Sequence, residues 1–498
     1  MFSALDDLLS QSARRWPNEI ALMNEWGNIH YKQLEADVNV FSHRLIQLGL
    51  KRFDRAAILS RNSFDSVTVY FALSRIGAVV VWLNHSLDAK DLGAVSKDAG
   101  VSFLLCEAEL KGKAEKISVD SGARIVLFSD SDDLKKAPNE NNIFKSISSS
   151  DDLAAIVYTS GSTDKPLGVM LSHRNLLSNN EAIAAYLNLT KDDRVCCVLP
   201  FYYIYGLSLL LSHLAVGGSV FLENRFSYPQ LALEEMEKNE ITGFSGVSSH
   251  FILLINHTDF LKREFKKLRY FTHAGDKMPV AITEKMVKAF PSKELYLMYG
   301  QTEAAPRISY LDPKSAAKKP ASAGKALKNI EMKILNGDGN ACAPGEEGEI
   351  VIRGDNVMKG YWNNPEETKK VLREGWLFTG DIGYRDADGD LFVTGRMKQF
   401  IKVGGRRVSP AEVESMALEY PGVREAAVIG VPDETLGEKL RLYATEDAAK
   451  PVNAAALTDF YKTKAPFYKV PAEIVIVAAL PRNSQGKIDR KRLAQMKV

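Results

Sequence analysis

The alternation of helix-periodic and strand-like segments from Tyr31 onward limits the fold more than any other feature of the sequence. Apolar residues recur at helical spacing from Tyr31 to Leu45, and Ala56 to Ser60 then reads as a strand closed by the turn-forming Arg61-Asn62-Ser63. Val67 to Ile76 is again helix-like, Ala78 to Leu83 strand-like, Ala94 to Ala99 helical and Val101 to Cys106 a strand. Strands that alternate with helices predict an α/β domain around a parallel sheet, because each helix supplies the crossover between parallel neighbours. A second such block starts near Ala154, beyond a Ser-, Asp- and Asn-rich surface connection at Asp130 to Asp152. After about Lys325 the pattern changes to short β segments, with turn signals at Asn336-Gly337-Asp338-Gly339 and Asp386-Ala387-Asp388-Gly389, which predict a small β subdomain.

A chain of 498 residues with 45% hydrophobic and 25% charged residues has material for several cores, so disordered and collagen-like architectures are excluded. Its net charge of +2 is too small for a nucleic-acid wrap or a polybasic membrane anchor. The longest apolar stretches, around Gly77 to Leu83 and Leu207 to Val216, fall short of the ~20 residues a membrane span needs. Asp6 and Asp7 interrupt the run that a signal-peptide core requires, and Met496-Lys497-Val498 matches no retention or peroxisomal address, so a cytoplasmic protein is expected. Cys106, Cys196, Cys197 and Cys342 form no C-x-x-C pair and read as small hydrophobes rather than disulfides or zinc ligands. From Arg396 to the end, 18 Lys or Arg stand against 12 Asp or Glu, so the basic excess lies in the last piece.

Chemistry is written first in Thr159-Ser160-Gly161-Ser162-Thr163-Asp164-Lys165-Pro166, between the strands Ala154 to Tyr158 and Gly168 to Leu171. Hydroxyls packed around a glycine offer O–H and N–H donors to phosphate oxygens, although Ser, Thr and Gly are also ordinary turn residues. A Walker loop is excluded, since Pro166 and Leu167 stand where Gly and Lys are required. Gly243-Phe244-Ser245-Gly246 lacks the spacing of a serine-hydrolase elbow, and no histidine follows His273. No H-E-x-x-H occurs for zinc.

Read with Tyr299-Gly300-Gln301-Thr302-Glu303, Thr379-Gly380-Asp381, Gly395-Arg396, Lys402-Val403-Gly404-Gly405 and Pro481-Arg482-Asn483-Ser484-Gln485-Gly486-Lys487, the chain resembles the adenylate-forming superfamily. That superfamily comprises acyl-CoA synthetases, luciferases and nonribosomal-peptide adenylation domains. The resemblance runs from about Tyr31 to Lys491 and implies an N-terminal domain, residues 1–395, of two α/β subdomains and a β subdomain. A mobile α+β C-terminal domain, residues 396–498, would turn about a hinge near Lys398. It further implies that ATP and a carboxylic acid give an acyl-AMP and pyrophosphate, and that the acyl group then passes to CoA.

In that scheme Thr159, Ser160, Gly161, Ser162, Thr163 and Lys165 cradle the phosphates, Thr302 contacts the α-phosphate and Glu303 holds Mg²⁺. A carboxylate with phosphate oxygens suits magnesium. Tyr299 and the Ala274-Gly275-Asp276 turn would flank adenine, Asp381 would accept both ribose hydroxyls and Arg396 would add a donor. Lys487 would bridge the reacting carboxylate and the α-phosphate. After adenylation Lys487 would leave, and Lys402, Gly404 and Gly405 would enter to line the channel for a pantetheine arm. Ser409-Pro410-Ala411-Glu412 reads as a capping box that starts a helix.

The phosphate loop departs from the family in carrying Asp164 for the usual glycine and Leu167 for the usual lysine. Pro200-Phe201-Tyr202-Tyr203-Ile204-Tyr205-Gly206 resembles the substrate-pocket motif, so Tyr203, Ile204, Tyr205 and Ser208 are expected around the acid. Ile204 stands where amino-acid-activating domains carry an aspartate, and it cannot pair an ammonium; a fatty or aryl acid without a charged α-amine is expected. Two alternatives stay open at this point. One is a stand-alone ligase loading an acyl, aryl or proline-like acid onto the phosphopantetheine of a carrier protein, and the other, motivated by the altered loop, is a nucleotide- or acyl-adenylate-binding protein without turnover.

Overall fold

The computed structural model describes residues 2–129, 148–159, 166–447, 450–482 and 488–496. A seven-stranded sheet runs in the order Gly360–Tyr361, Leu167–Ser172, Leu153–Thr159, Val79–Trp82, Arg55–Leu59, Val101–Cys106 and Arg124–Leu127. Its last five strands are mutually parallel. A nine-stranded sheet runs Lys325–Ala326, Ser309–Tyr310, Glu294–Tyr299, Tyr270–His273, Gly243–Gly246, Arg194–Cys197, Ser219–Leu222, Ile20–Asn24 and Gly27–His30. From Glu294–Tyr299 through Ile20–Asn24 it too is parallel.

Local sequence accounts for these elements. Val79–Trp82 is buried along its whole length, as a strand covered on both faces must be. The helix Phe64–Arg75 opens on a reciprocal cap in which the Ser66 N–H donates to Ser63 Oγ at 3.0 Å and the Ser63 N–H to Ser66 Oγ at 2.9 Å. Helix Ala89–Ala99 ends where Gly100 takes a left-handed φ of 63°. The helix Ile204–Leu214 is buried on every side and belongs to the core shared by the two sheets.

Strands Ile330–Leu335, Gly348–Gly354, Trp376–Arg385 and Leu391–Arg396 form the expected antiparallel β unit. Beyond it, Ile401–Val403, Arg406–Val408, Val423–Asp433, Gly437–Glu446 and Glu473–Ile476 make a further sheet. Helices Pro410–Ala417 and Ala454–Lys464 pack on it around Val408, Val413, Leu442, Leu457 and Tyr461. Among the described residues no helix is long and apolar enough to cross a membrane. All four cysteines are free, and all but Cys342 are buried.

One local expectation is corrected. The helix starts at Pro410, but Ser409 does not cap it with its side chain; its buried hydroxyl donates to the Thr394 carbonyl at 2.6 Å, tying the helix to the preceding strand. The Lys402 to Arg407 segment is a hairpin, and Gly404 and Gly405 are its two turn residues with φ of 56° and 78°. Such a turn needs positive φ at both centres, which alone accounts for paired glycines there.

Burial also sets a pH limit on stability. His173 is buried, accepts the Leu5 N–H on Nδ1 at 3.2 Å, and is pushed down to about 4 by desolvation. The unfolded chain protonates near 6.5, so stability is full above that pH and is lost as pH falls towards 4, by about 3 kcal/mol from this group. His173→Gln, which keeps an acceptor without titrating, should flatten the fall of the urea midpoint between pH 6.5 and 4. Parallel curves for the two proteins would assign the acid sensitivity elsewhere.

Candidate active site

Thr159 and Tyr299 are the last residues of parallel strands in the two sheets, and the carboxyl ends of such strands are where open α/β sheets bind ligands. The chain leaves Tyr299 through Gly300, where a Cβ would lie 1.8 Å from the Pro306 carbonyl oxygen. Only glycine lets the loop fold back so that the Ile308 N–H reaches the Tyr299 carbonyl at 2.9 Å. This loop presents Thr302–Ala304 as a short 3₁₀ turn, followed by buried Ala305 in a left-handed conformation at φ 45°.

Tyr299, Asp381 and Arg396 come together. Asp381 is 5% exposed and faces Arg396 across the antiparallel pair of strands Trp376–Arg385 and Leu391–Arg396. Its Oδ2 accepts the Tyr299 hydroxyl at 2.7 Å and its Oδ1 accepts Arg396 Nε at 2.8 Å. Burial, then the Asp381 charge, push the Tyr299 phenol well above its ordinary value, so it stays a donor. The Asp381 charge likewise raises Arg396, which stays cationic. A carboxylate has about four acceptor sites, so Asp381 keeps capacity on both oxygens after these two bonds, as a ribose diol requires.

Glu303 Oε1 accepts the Tyr361 hydroxyl at 2.9 Å, and its carbonyl accepts the Met358 N–H at 2.9 Å. Tyr361 lies on the strand paired with Leu167–Ser172, so Glu303 is fastened to the strand that leaves the hydroxyl-rich loop. Half-buried, and without an ion pair among the described residues, its carboxylate fits a hard divalent cation such as Mg²⁺. Thr302 beside it is also half-buried. Leu167 faces Thr159 across the strand pair and packs on the core, so it presents no cation. Ser160, Gly161, Ser162, Thr163, Asp164, Lys165 and Lys487 lie outside the described residues.

The Ala274-Gly275-Asp276 turn follows strand Tyr270–His273. Asp276 Oδ1 accepts the Ser248 N–H at 3.2 Å and hydroxyl at 2.9 Å, with His273 Nε2 at 3.1 Å. Burial works to raise this carboxyl, but these hydrogen bonds outweigh it and hold it below its ordinary value. Nearby His250 is pushed down to about 4 by burial, against the charge of Asp276 and with smaller help from His273 and Arg482. Arg482, the last described residue before Asn483, is paired with Glu425.

In the substrate-pocket motif, Ile204 and Ser208 are buried in the helix, where Ser208 Oγ donates to the Tyr205 carbonyl at 2.7 Å. Among the described residues the buried Tyr203 hydroxyl has no hydrogen-bond partner. Tyr205 reaches Thr272, its hydroxyl 2.8 Å from Thr272 Oγ1, which in turn lies 2.7 Å from Ser245 Oγ. Lys402, Gly404 and Gly405 sit exposed on their hairpin, and Lys398 falls in the short turn Met397–Gln399 between the two sheets. Sequence reasoning missed Tyr361, Thr272, Ser245 and Arg307. An arginine in the apolar run after Thr302-Glu303 was the only visible signal among them.

Two family models match this chain: AMP-binding enzyme over residues 9–362 and AMP-binding enzyme C-terminal domain over 412–487. The 2-succinylbenzoate–CoA ligase of Bacillus subtilis is 33% identical over 494 residues, covering 99% of this chain and 98% of that one. The oxalate–CoA ligase of Arabidopsis thaliana is 33% identical over 511 residues, with the same two coverages of 99% and 98%. The B. subtilis o-succinylbenzoate CoA synthetase, solved with its acyl-adenylate intermediate, superposes with a TM-score of 0.89 at 32% identity, covering 98% of each chain. The same enzyme has also been solved with ATP and magnesium. With its motifs in register from end to end, this chain belongs to the AMP-binding enzyme family.

Proposed function

We propose that this chain is an ATP-dependent acid–CoA ligase that turns a carboxylic acid without a charged α-amine into an acyl-AMP and then a CoA thioester. The observation that carries the reading is the Tyr299, Asp381 and Arg396 cluster beside Glu303 at the carboxyl ends of the parallel strands. Asp381 and Arg396 supply a fixed acceptor and a fixed cation for a nucleotide, and Glu303 would hold the Mg²⁺ that offsets phosphate charge. Lys487 would supply the ammonium at the reacting carboxylate. Ile204, buried and apolar, supports an acid with no α-ammonium to pair. The relatives named above act on 2-succinylbenzoate and oxalate, both without an amine.

For the second half-reaction we place the domain boundary at 395/396 with the pivot at Lys398, and the exposed 401–408 hairpin as the element that turns inward. Arg406 and Arg407 are exposed on it, Arg406 with its guanidinium 4.6 Å from the Tyr468 ring centroid. These cations suit the 3′-phosphate of CoA, and equally the acidic surface of a carrier protein. Lys469, a third basic residue of this face, is already paired with Glu412.

The test is ATP–pyrophosphate exchange over a panel of acids, followed by transfer to CoA, dephospho-CoA and pantetheine. We expect exchange that depends on the acid, and CoA as the fastest acceptor. Equally slow transfer to all three would favour a carrier protein, and nucleotide binding without exchange for any acid would overturn the ligase reading.

A further inference from the structure

Arg307 is among the largest fully buried side chains, 1% exposed, yet among the described residues it makes no ion pair. Its Nε donates to the Tyr186 hydroxyl at 3.2 Å, and its guanidinium carbon lies 4.6 Å from the Tyr205 ring centroid. No other hydrogen bond joins its guanidinium to a described residue, so the four N–H groups on its two terminal nitrogens have no acceptor there. The other fully buried arginine among the described residues, Arg75, is paired: it is met by Glu35 at 2.8 Å and by Asp6 at 3.8 Å. Burying a guanidinium without a carboxylate is costly, and a fold keeps one only where something compensates it.

The position of Arg307 identifies what can do so. It closes the loop that carries Thr302 and Glu303, fixed by its own N–H donating to Asn179 Oδ1 at 3.2 Å and by its carbonyl accepting Asn179 Nδ2 at 2.7 Å. Its charge faces Tyr205, a residue of the substrate-pocket motif, whose hydroxyl joins Thr272 and Ser245. Among the described residues these surroundings offer hydroxyls and one cation, and no carboxylate pairs with Arg307. An apolar acyl tail gains nothing from such a lining and would leave the guanidinium uncompensated, whereas a carboxylate would accept from it in the paired geometry that arginine favours.

We propose that Arg307 is a specificity-determining residue that receives a second carboxylate at the far end of the substrate, so that the acid activated here is a dicarboxylic acid. The first carboxylate is the one adenylated; the second stays ionised and is held against Arg307 and Tyr205. This rests on the acid–CoA ligase reading and narrows it to a substrate class.

The experiment is acid-dependent pyrophosphate exchange with matched pairs, each a dicarboxylic acid and the monocarboxylic acid of the same length ending in methyl. The wild type should favour the dicarboxylic member by 100-fold or more in kcat/KM. Arg307→Met, close in volume and uncharged, should lose 100-fold or more on the dicarboxylic acid while keeping or gaining activity on its methyl-ended partner. Arg307→Lys should recover part of the preference, which a merely structural role would not restore. If the wild type prefers monocarboxylic acids throughout, or if Arg307→Met lowers both members of each pair alike, the assignment is overturned. The wild-type panel decides even if Arg307→Met does not fold. Exchange with no acid at all would instead count against the ligase reading, so the two failures are told apart.

Discussion

Lys487→Ala should lower acyl-adenylate formation by roughly two to three orders of magnitude, the scale of removing one preorganised charge-stabilising donor. The reacting centre brings a carboxylate and a triphosphate together, and two anions approach only where fixed cations offset them. Arg396 is committed to Asp381 at 2.8 Å, and Leu167 offers no charge at the start of its strand. In this chain the burden on Lys487 is correspondingly large. Thioester formation from supplied acyl-AMP should be nearly unchanged, because in the proposed turn about Lys398 the lysine has left by then. The two half-reactions are measured separately, by exchange and by single-turnover transfer to CoA. Equal losses in both would remove the domain-turning assignment, and an unchanged exchange rate would remove Lys487 from the chemistry.

Period and punctuation carried most of the fold. The helix read from Tyr31 to Leu45 runs Tyr31–Gln47, and Val101 to Cys106 is a strand over those same residues, because each buries one face or both and so writes its period into the apolar residues. What period cannot say is which distant strands meet. Tyr361 reaches Glu303 only because its strand adds to the edge of the seven-stranded sheet, and Thr272 meets Tyr205 only across a parallel sheet from a helix. Such contacts join residues far apart in sequence and leave no local pattern. Ser409 shows the opposite failure: its local signature was a good cap, but a carbonyl on the neighbouring strand competed for the hydroxyl and won. Tyr299, Asp381 and Arg396 were legible as a set through the family resemblance, while the bonds joining them depend on the register that puts Asp381 opposite Arg396. Arg307 was hidden because a lone charged residue in an apolar run looks like a surface residue until its burial is known.

The second large effect is expected at Asp381. Asp381→Ala should raise the KM for ATP by 100-fold or more, with a smaller change in the KM for the acid. Hydrogen bonds to a charged acceptor contribute about 1.5–3 kcal/mol each, and a ribose would lose two. Part of any loss could instead come from the architecture, since Asp381 also anchors the Tyr299 hydroxyl and Arg396. Removing it frees a cation and a phenol at the rim of the site, which could shift both. A nucleotide variant separates these causes. With the wild type, 2′-deoxy-ATP should bind more weakly than ATP by roughly 10-fold or more, one lost hydrogen bond to a carboxylate. With Asp381→Ala the two nucleotides should bind alike, because the acceptor that told them apart is gone. That coupling is what a double-mutant cycle measures, and a displaced Arg396 cannot imitate it. If the alanine variant still discriminates against the deoxynucleotide as strongly as the wild type, Asp381 does not hold the ribose, and its bonds to Tyr299 and Arg396 are architecture alone.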